Sequence, residues 1–194
     1  MTGAKALRPV PVTEAAAHGA CAVCTVLRHH QTRLIEVTGI TEVHHLCNHH
    51  AWLLARSAPA ALATRAYTQV LTERRRDPSR RSGRCAFCAE LRREEEVRLA
   101  ELQEQMKMAS FAEWMRRSGT LCLWHAERLA HRLPPTTRSI IEEVLARTAE
   151  ELELDLRKCA AQSRLGAHAG GGVLGRVAEF LVCQRGIPGE ETPC

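Results

Sequence analysis

The spacing of apolar residues predicts helices over most of the chain. A stripe on residues 139–160 recurs every three or four positions and indicates a long amphipathic helix: Ile141, Leu145, Ala149, Leu152, Leu156 and Cys159. Stripes of the same kind predict helices over 59–74 and 86–107, and a short helix over 173–184 follows the flexible Gly170–Gly172 run. Strand patterns are sparse, so the fold class predicted is all-α.

A second pattern is an internal repeat of cysteine and histidine motifs. The letters CAVC at 21–24 align with CAFC at 85–88, and LCNHHA at 46–51 aligns with LCLWHA at 121–126. Two matches in the same order indicate a duplicated unit. Each unit reads Cys-x2-Cys, a spacer of 22 or 33 residues that ends in Leu, then Cys-x2-His-Ala.

The repeat and the changes in composition divide the chain into five parts. We expect an N-terminal arm, a first Cys3His helical unit, an arginine-rich linker, a second Cys3His helical unit, and a C-terminal region with the long helix and a Gly-hinged tail helix. These parts are residues 1–20, 21–73, 74–84, 85–133 and 134–194.

The residue types of each unit match a structural zinc site. Three cysteines and one histidine complete a tetrahedral shell, which leaves no open position for hydrolytic chemistry. A straight helix of 22 residues would hold its ends about 33 Å apart, so each unit is expected to fold back as a hairpin stapled by its own Zn²⁺. The repeat selects His50 rather than His49, because Trp124 stands opposite His49. The predicted ligands of the two zinc ions are Cys21, Cys24, Cys47 and His50, and Cys85, Cys88, Cys122 and His125.

Three alternatives stay open at this point. Crossed pairing, in which the first Cys-x2-Cys shares a metal with Cys122 and His125, is less economical. Three cysteines and a histidine can also hold an iron–sulfur cluster. Simple burial as apolar packing residues would not explain the doubled motif. Cys159 and Cys183 fit no metal spacing and are expected in the core, and Cys194 is expected as an exposed thiol.

Positive charge is concentrated in one segment. The chain carries a net charge of +5, and residues 74–84 alone hold six arginines and one aspartate. This segment could contact phosphates of a nucleic acid, although a solvated linker is the favoured interpretation. The arginines concerned are Arg74, Arg75, Arg76, Arg80, Arg81 and Arg84. Aromatic residues make up only 4% of the chain, and the three tryptophans, Trp52, Trp114 and Trp124, are expected in the core near the metals.

The remaining features exclude several classes of protein. The chain has the apolar content, 45%, of an ordinary globular protein, and we see neither a signal-peptide core nor an apolar run long enough to cross a membrane. A cytoplasmic location is therefore expected, where Cys-x2-Cys pairs favour metal binding over disulfides. We find no P-loop, nucleophile elbow or dinucleotide fingerprint, which argues against an enzyme.

The doubled motifs resemble an uncharacterised bacterial domain-of-unknown-function family. Its members carry Cys-Pro-x-Cys and Leu/Phe-Cys-x-x-His-Ala repeats and a helical tail with a Gly-rich turn. The eight cysteines and histidines given above match its motifs, with Ala22 and Ala86 in place of the usual proline. The resemblance implies a helical, metal-stapled bacterial protein and supplies no activity.

Three functions are consistent with these patterns. The first is a non-enzymatic adaptor or accessory module for a protein partner, whose marker would be an exposed apolar stripe on the 139–160 helix. The second is a nucleic-acid-associated regulator that uses the arginines of 74–84. The third is a redox or metal-responsive protein with thiols or an iron–sulfur cluster.

Overall fold

The computed structural model describes residues 20–35, 43, 45–77, 85–164 and 171–182. These residues form eight α-helices and no strand, which confirms the all-α fold class. In chain order the helices are α1 (Ala22–Arg33), α2 (Asn48–Ser57), α3 (Ala60–Arg76), α4 (Ala86–Gln105), α5 (Ala109–Ser118), α6 (Leu123–Ala130), α7 (Pro135–Arg164) and α8 (Gly171–Val182). The N-terminal arm up to residue 19, Cys183 and Cys194 lie outside the described residues.

Helix boundaries follow local signals in the sequence. Helix α7 begins at Pro135, whose fixed φ suits the first turn and whose missing N–H costs no hydrogen bond there. Pro59 is the N-cap of α3, where its fixed φ also suits the start of a helix. Gly171 and Gly172 lie inside the first turn of α8, so these two glycines begin the last helix rather than form a hinge before it.

Two hydrophobic cores hold the helices together. The larger core contains buried residues of α1, α4, α5, α6 and α7, including Leu27, Leu99, Met115, Leu129 and Ile141. The smaller core lies among α2, α3 and the start of α4, and it contains Leu54, Ala66 and Phe87. The larger core includes three buried cysteines of the repeat motifs and the smaller core includes one, Cys85, with Cys47 and Cys88 packed against it. Apolar packing therefore adjoins both sets of candidate metal ligands.

The apolar stripe of α7 is buried only along its first half. Ile141 is buried, while Leu152, Leu156 and Cys159 are half-buried. Helix α8 packs against α7 and α6 and is tied by two ion pairs: Arg176 to Asp155 at 2.6 Å and Glu179 to Arg28 at 3.4 Å. Among the described helices, none has the length and apolar character to span a membrane.

Candidate metal centres

The eight predicted ligands come together in two groups of four. Within each group one potential ligand atom per residue lies within 4.8 Å of all the others. We name these groups centre 1, formed by Cys21, Cys24, Cys122 and His125, and centre 2, formed by Cys47, His50, Cys85 and Cys88. Each group could hold one metal ion.

The pairing of the motifs is crossed between the two repeat units. The Cys-x2-Cys of the first unit meets Cys122 and His125 of the second unit, and the second Cys-x2-Cys meets Cys47 and His50 of the first. This corrects the sequential pairing that economy of chain favoured. Each metal would therefore join the two units rather than staple one of them.

Every motif begins a helix, and this positions its two ligands. The first cysteine of each motif is the N-cap of α1, α2, α4 or α6, and its carbonyl accepts the first intrahelical hydrogen bond at 2.9–3.0 Å. The second ligand lies three residues later, in the first turn of the same helix. The positive ends of two helix dipoles thus converge on each centre, which favours thiolate over thiol.

The distances in centre 1 fit a tetrahedral ion. His125 Nδ1 lies 3.1 Å from Cys122 Sγ, 3.3 Å from Cys24 Sγ and 3.4 Å from Cys21 Sγ. The sulfurs of Cys24 and Cys122 are 3.8 Å apart. Metal–ligand bonds of about 2.1–2.3 Å at tetrahedral angles give edges of about 3.6–3.8 Å. The sulfur–sulfur distance already matches such an edge, and the sulfur–nitrogen distances would lengthen by a few tenths of an ångström around an ion. All four residues are buried.

Centre 2 has the same plan with more exposure. His50 Nδ1 lies 3.2 Å from Cys47 Sγ, 3.4 Å from Cys88 Sγ and 3.6 Å from Cys85 Sγ. The sulfurs of Cys47 and Cys88 are 3.7 Å apart. The His50 ring stacks on Phe87, with ring centres 5.3 Å apart. His50 and Cys85 are buried, whereas Cys47 and Cys88 are half-buried.

Burial and close contacts among the thiols and histidines shift the pKa values of ligand residues in both centres. Hydrogen bonds from Cys88 and His50 lower the pKa of Cys85 to about 3. Burial raises the pKa of the Cys47 thiol. Burial lowers the pKa of His125, but the neighbouring Cys21, Cys122 and Glu95 outweigh it and hold that pKa well above its usual range.

Each ligating histidine is supported at its second ring nitrogen. His125 Nε2 lies 3.0 Å from Glu95 Oε1, and the buried Glu95 also accepts hydrogen bonds from Trp124 Nε1 at 3.0 Å and Arg128 Nη1 at 2.8 Å. Although burial raises the pKa of Glu95, these partners hold it below its usual range. His50 Nε2 lies 3.1 Å from the amide nitrogen of Gln31, Nε2. Such partners orient the ring of a metal-binding histidine.

Gln31 and Glu95 contact the histidines of the two centres and are not among the residues predicted from the sequence. Each lies seven positions after the second cysteine of its motif, which is two helical turns along the same face. The shared position of the two residues in the aligned repeat units is therefore the feature of the sequence that could have identified both.

Helices α1 and α4 connect the two centres in opposite directions. Helix α1 supplies cysteines to centre 1 at its N-terminus and reaches the histidine of centre 2 with Gln31. Helix α4 supplies cysteines to centre 2 and reaches the histidine of centre 1 with Glu95. Seven residues of helix span about 10 Å. Each of the two helices therefore runs from one centre to the other over this distance, and the packed pair joins both centres into one unit.

The structure describes three of the six arginines of the predicted patch, and it places only two of the three tryptophans against a core. Arg74, Arg75 and Arg76 are the exposed last residues of α3, and Arg80, Arg81 and Arg84 lie outside the described residues. The placement of Trp52 in the core was wrong, because its side chain is 61% exposed. The other two tryptophans, Trp114 and Trp124, are partly buried and pack against the larger core.

Comparisons with protein-family models, with curated proteins and with solved structures find no match. The resemblance to a bacterial family therefore stays a prediction.

Proposed function

We propose that the protein binds two structural Zn²⁺ ions and acts without catalysis as an adaptor or accessory module for a protein partner. The observation that carries the zinc assignment is the complete set of four Cys and His ligand atoms within 4.8 Å in each centre. Four protein ligands fill a tetrahedral shell, so neither centre has room for a reacting water.

The same compactness argues against an iron–sulfur cluster. A cluster distributes its cysteines over two or more iron atoms, which requires a wider ligand set than four atoms within 4.8 Å of one another. One ion with sulfur and nitrogen ligands in tetrahedral geometry is typical of zinc.

Elemental analysis of protein purified without oxygen and without chelators tests this assignment. We expect two zinc per chain, no visible absorption, and the strong d–d bands of tetrahedral thiolate coordination after substitution with Co²⁺. Iron with visible charge-transfer bands, or less than one metal per chain, would contradict the proposal.

The adaptor role is supported by an apolar surface on α8. Leu174, Leu181 and Val182 are 59%, 52% and 68% exposed, while the inner face of the helix is half-buried against its neighbours. Positions 174, 181 and 182 lie on one side of the helix. The 139–160 helix, where an exposed stripe was expected, also exposes Leu154, at 53%, beside the half-buried Leu152 and Leu156. Contiguous exposed apolar surface of this kind is typical of sites that bind other proteins.

Site-specific photo-cross-linking in host cells tests the adaptor role. A benzophenone amino acid at Leu181 is expected to give a discrete protein adduct that disappears when Leu174→Gln is added. The matched control places the same probe at Glu142, an exposed position on α7, where no adduct is expected. Equal adducts at both positions, or none at Leu181, would contradict a partner on this face.

A second candidate function, nucleic-acid binding, is supported by the exposed Trp52. The Arg56 guanidinium lies 5.8 Å from the centre of the Trp52 ring. A hydrogen bond of 2.7 Å from Tyr67 to the carbonyl of Ala51 fastens α3, with its basic end, to the same helix. Residues 48–84 hold eight arginines against Glu73 and Asp77. An exposed aromatic ring beside positive charge is the combination that stacks bases and neutralises phosphates.

Fluorescence anisotropy with labelled single-stranded and duplex oligonucleotides tests this second function. Trp52→Ala is expected to weaken single-strand binding about 5- to 100-fold, since one stacked base contributes about 1–3 kcal/mol. Leu71→Ala, which removes another exposed apolar side chain of the same region, should leave binding unchanged. Failure to bind at low salt, or identical binding by the Trp52 variant, would rule this function out.

A further inference from the structure

The two centres differ at the position that supports the histidine. Glu95 and Gln31 occupy equivalent places in the repeat, but one is a carboxylate and the other a neutral amide. A histidine that binds a metal through Nδ1 carries its proton on Nε2 and donates it. At centre 1 the carboxylate oxygen Glu95 Oε1 faces His125 Nε2 and accepts this hydrogen bond, whereas at centre 2 the amide nitrogen of Gln31, a donor, faces His50 Nε2. A metal on His50 Nδ1 therefore requires the Gln31 amide to turn over and offer its oxygen. That oxygen is a weaker acceptor than a carboxylate, so the carboxylate makes its histidine the better ligand.

The repeat positions that support Glu95 carry different residues at centre 2. In the repeat, Trp124 and Arg128 correspond to His49 and Leu53. Arg128 holds Glu95 in place through a hydrogen bond of 2.8 Å and also pairs with Glu96. The side chain of Leu53 carries no hydrogen-bond donor, so this repeat position supplies a guanidinium at centre 1 and an apolar side chain at centre 2.

Access to the sulfurs differs in the same direction. Every ligand of centre 1 is buried, whereas two ligands of centre 2, Cys47 and Cys88, are half-buried. Zinc leaves a thiolate site fastest when a competing ligand can approach the metal and its sulfurs, and buried sulfurs prevent that approach.

We propose that centre 1 holds its zinc permanently, that centre 2 exchanges zinc with its surroundings, and that Glu95 and Gln31 are the positioning residues that set this difference. The proposal rests on the zinc binding proposed above and adds a metal-responsive property to it. The protein would keep its larger core intact while the smaller core, around centre 2, responds to the concentration of available zinc.

Competition with the chelator 4-(2-pyridylazo)resorcinol tests the order of release in the full chain. One zinc is expected to leave at least ten times faster than the other. Alkylation with N-ethylmaleimide during the reaction, read by mass spectrometry, should label the cysteines of centre 2 first: Cys47, Cys85 and Cys88. Simultaneous release and labelling, or labelling of centre 1 first, would overturn the inference, whereas protein that holds no zinc at all would instead refute the proposed function.

Two variants test the positioning residues. Glu95→Gln is expected to weaken zinc binding at centre 1 by about 10- to 100-fold, the usual effect of losing such a partner, and so to reduce or reverse the order of release. The matched control is Glu96→Gln, which alters an exposed neighbour that pairs with Arg128 and Arg132. Gln31→Leu should accelerate release from centre 2 alone. A Glu95→Gln protein with unchanged circular dichroism and unchanged release from centre 1 would refute the role of Glu95.

Discussion

Removal of both zinc ions is expected to abolish most of the helical signal in far-ultraviolet circular dichroism. Three of the four helices that carry the ligands at centre 1 and centre 2 are short: α1 has 12 residues, α2 has 10 and α6 has 8, whereas α4 has 20. Isolated helices of fewer than about 12–15 residues are marginal in water. Structural zinc supplies about 10–16 kcal/mol of apparent binding free energy, which equals or exceeds the whole stability of a typical domain, about 5–15 kcal/mol.

Single ligand substitutions should reproduce this loss for one centre. Cys24→Ala and Cys122→Ala are expected to lower the melting temperature to the same extent, because both residues belong to centre 1 although they lie in different repeat units. Thermal unfolding with two equivalents of zinc measures the effect, and elemental analysis should find one zinc in each variant. The matched control is Cys159→Ala, a half-buried thiol outside both centres, which should change stability by about 1 kcal/mol or less. Helicity and cooperative unfolding that persist after chelation would contradict the expected role of the metals.

The residues of the two candidate centres could be predicted from the sequence because their selection depends on local spacing. Cys-x2-Cys at the start of a helix brings two side chains to one point whatever the rest of the fold does. The choice of His50 over His49 needed only the alignment of the two units. Trp52 lies in the same motif, and its exposure could not be predicted because it depends on which face of α2 the neighbouring helices cover.

The pairing of the motifs could not be predicted because it depends on tertiary structure. The two Cys-x2-Cys motifs are alike, so their residues do not distinguish the partners, and the short spacers favoured the sequential pairing that the structure corrects. Helix α1 runs for 12 residues without turning back, which is about 18 Å, and Gln31 near its end contacts His50. Cys47 and His50 therefore lie at the far end of α1 from Cys21, where the N-terminus of α4 supplies the missing cysteines.

Cleavage of the chain between the two repeat units is expected to leave one particle that holds two zinc ions. Each centre takes two ligands from each unit, so the metals would hold the two fragments together after the covalent link is lost. The experiment replaces residues 79–83 with a protease recognition sequence and cuts the zinc-loaded protein. Native mass spectrometry should find both fragments with two zinc, and a chelator should separate them.

Helix packing alone could also retain the fragments, so a ligand variant must distinguish the two pairings. In the cleaved protein, Cys21→Ala removes a ligand from centre 1. Crossed pairing then makes Cys122 of the other fragment reactive toward N-ethylmaleimide, whereas sequential pairing would make Cys47 of the same fragment reactive. Labelling of Cys47 with protection of Cys122, or fragments that separate with one zinc each, would show that the metals staple single units. Labelling of Cys122 would show that each zinc closes an interface between the repeats, so that neither unit completes its own metal site.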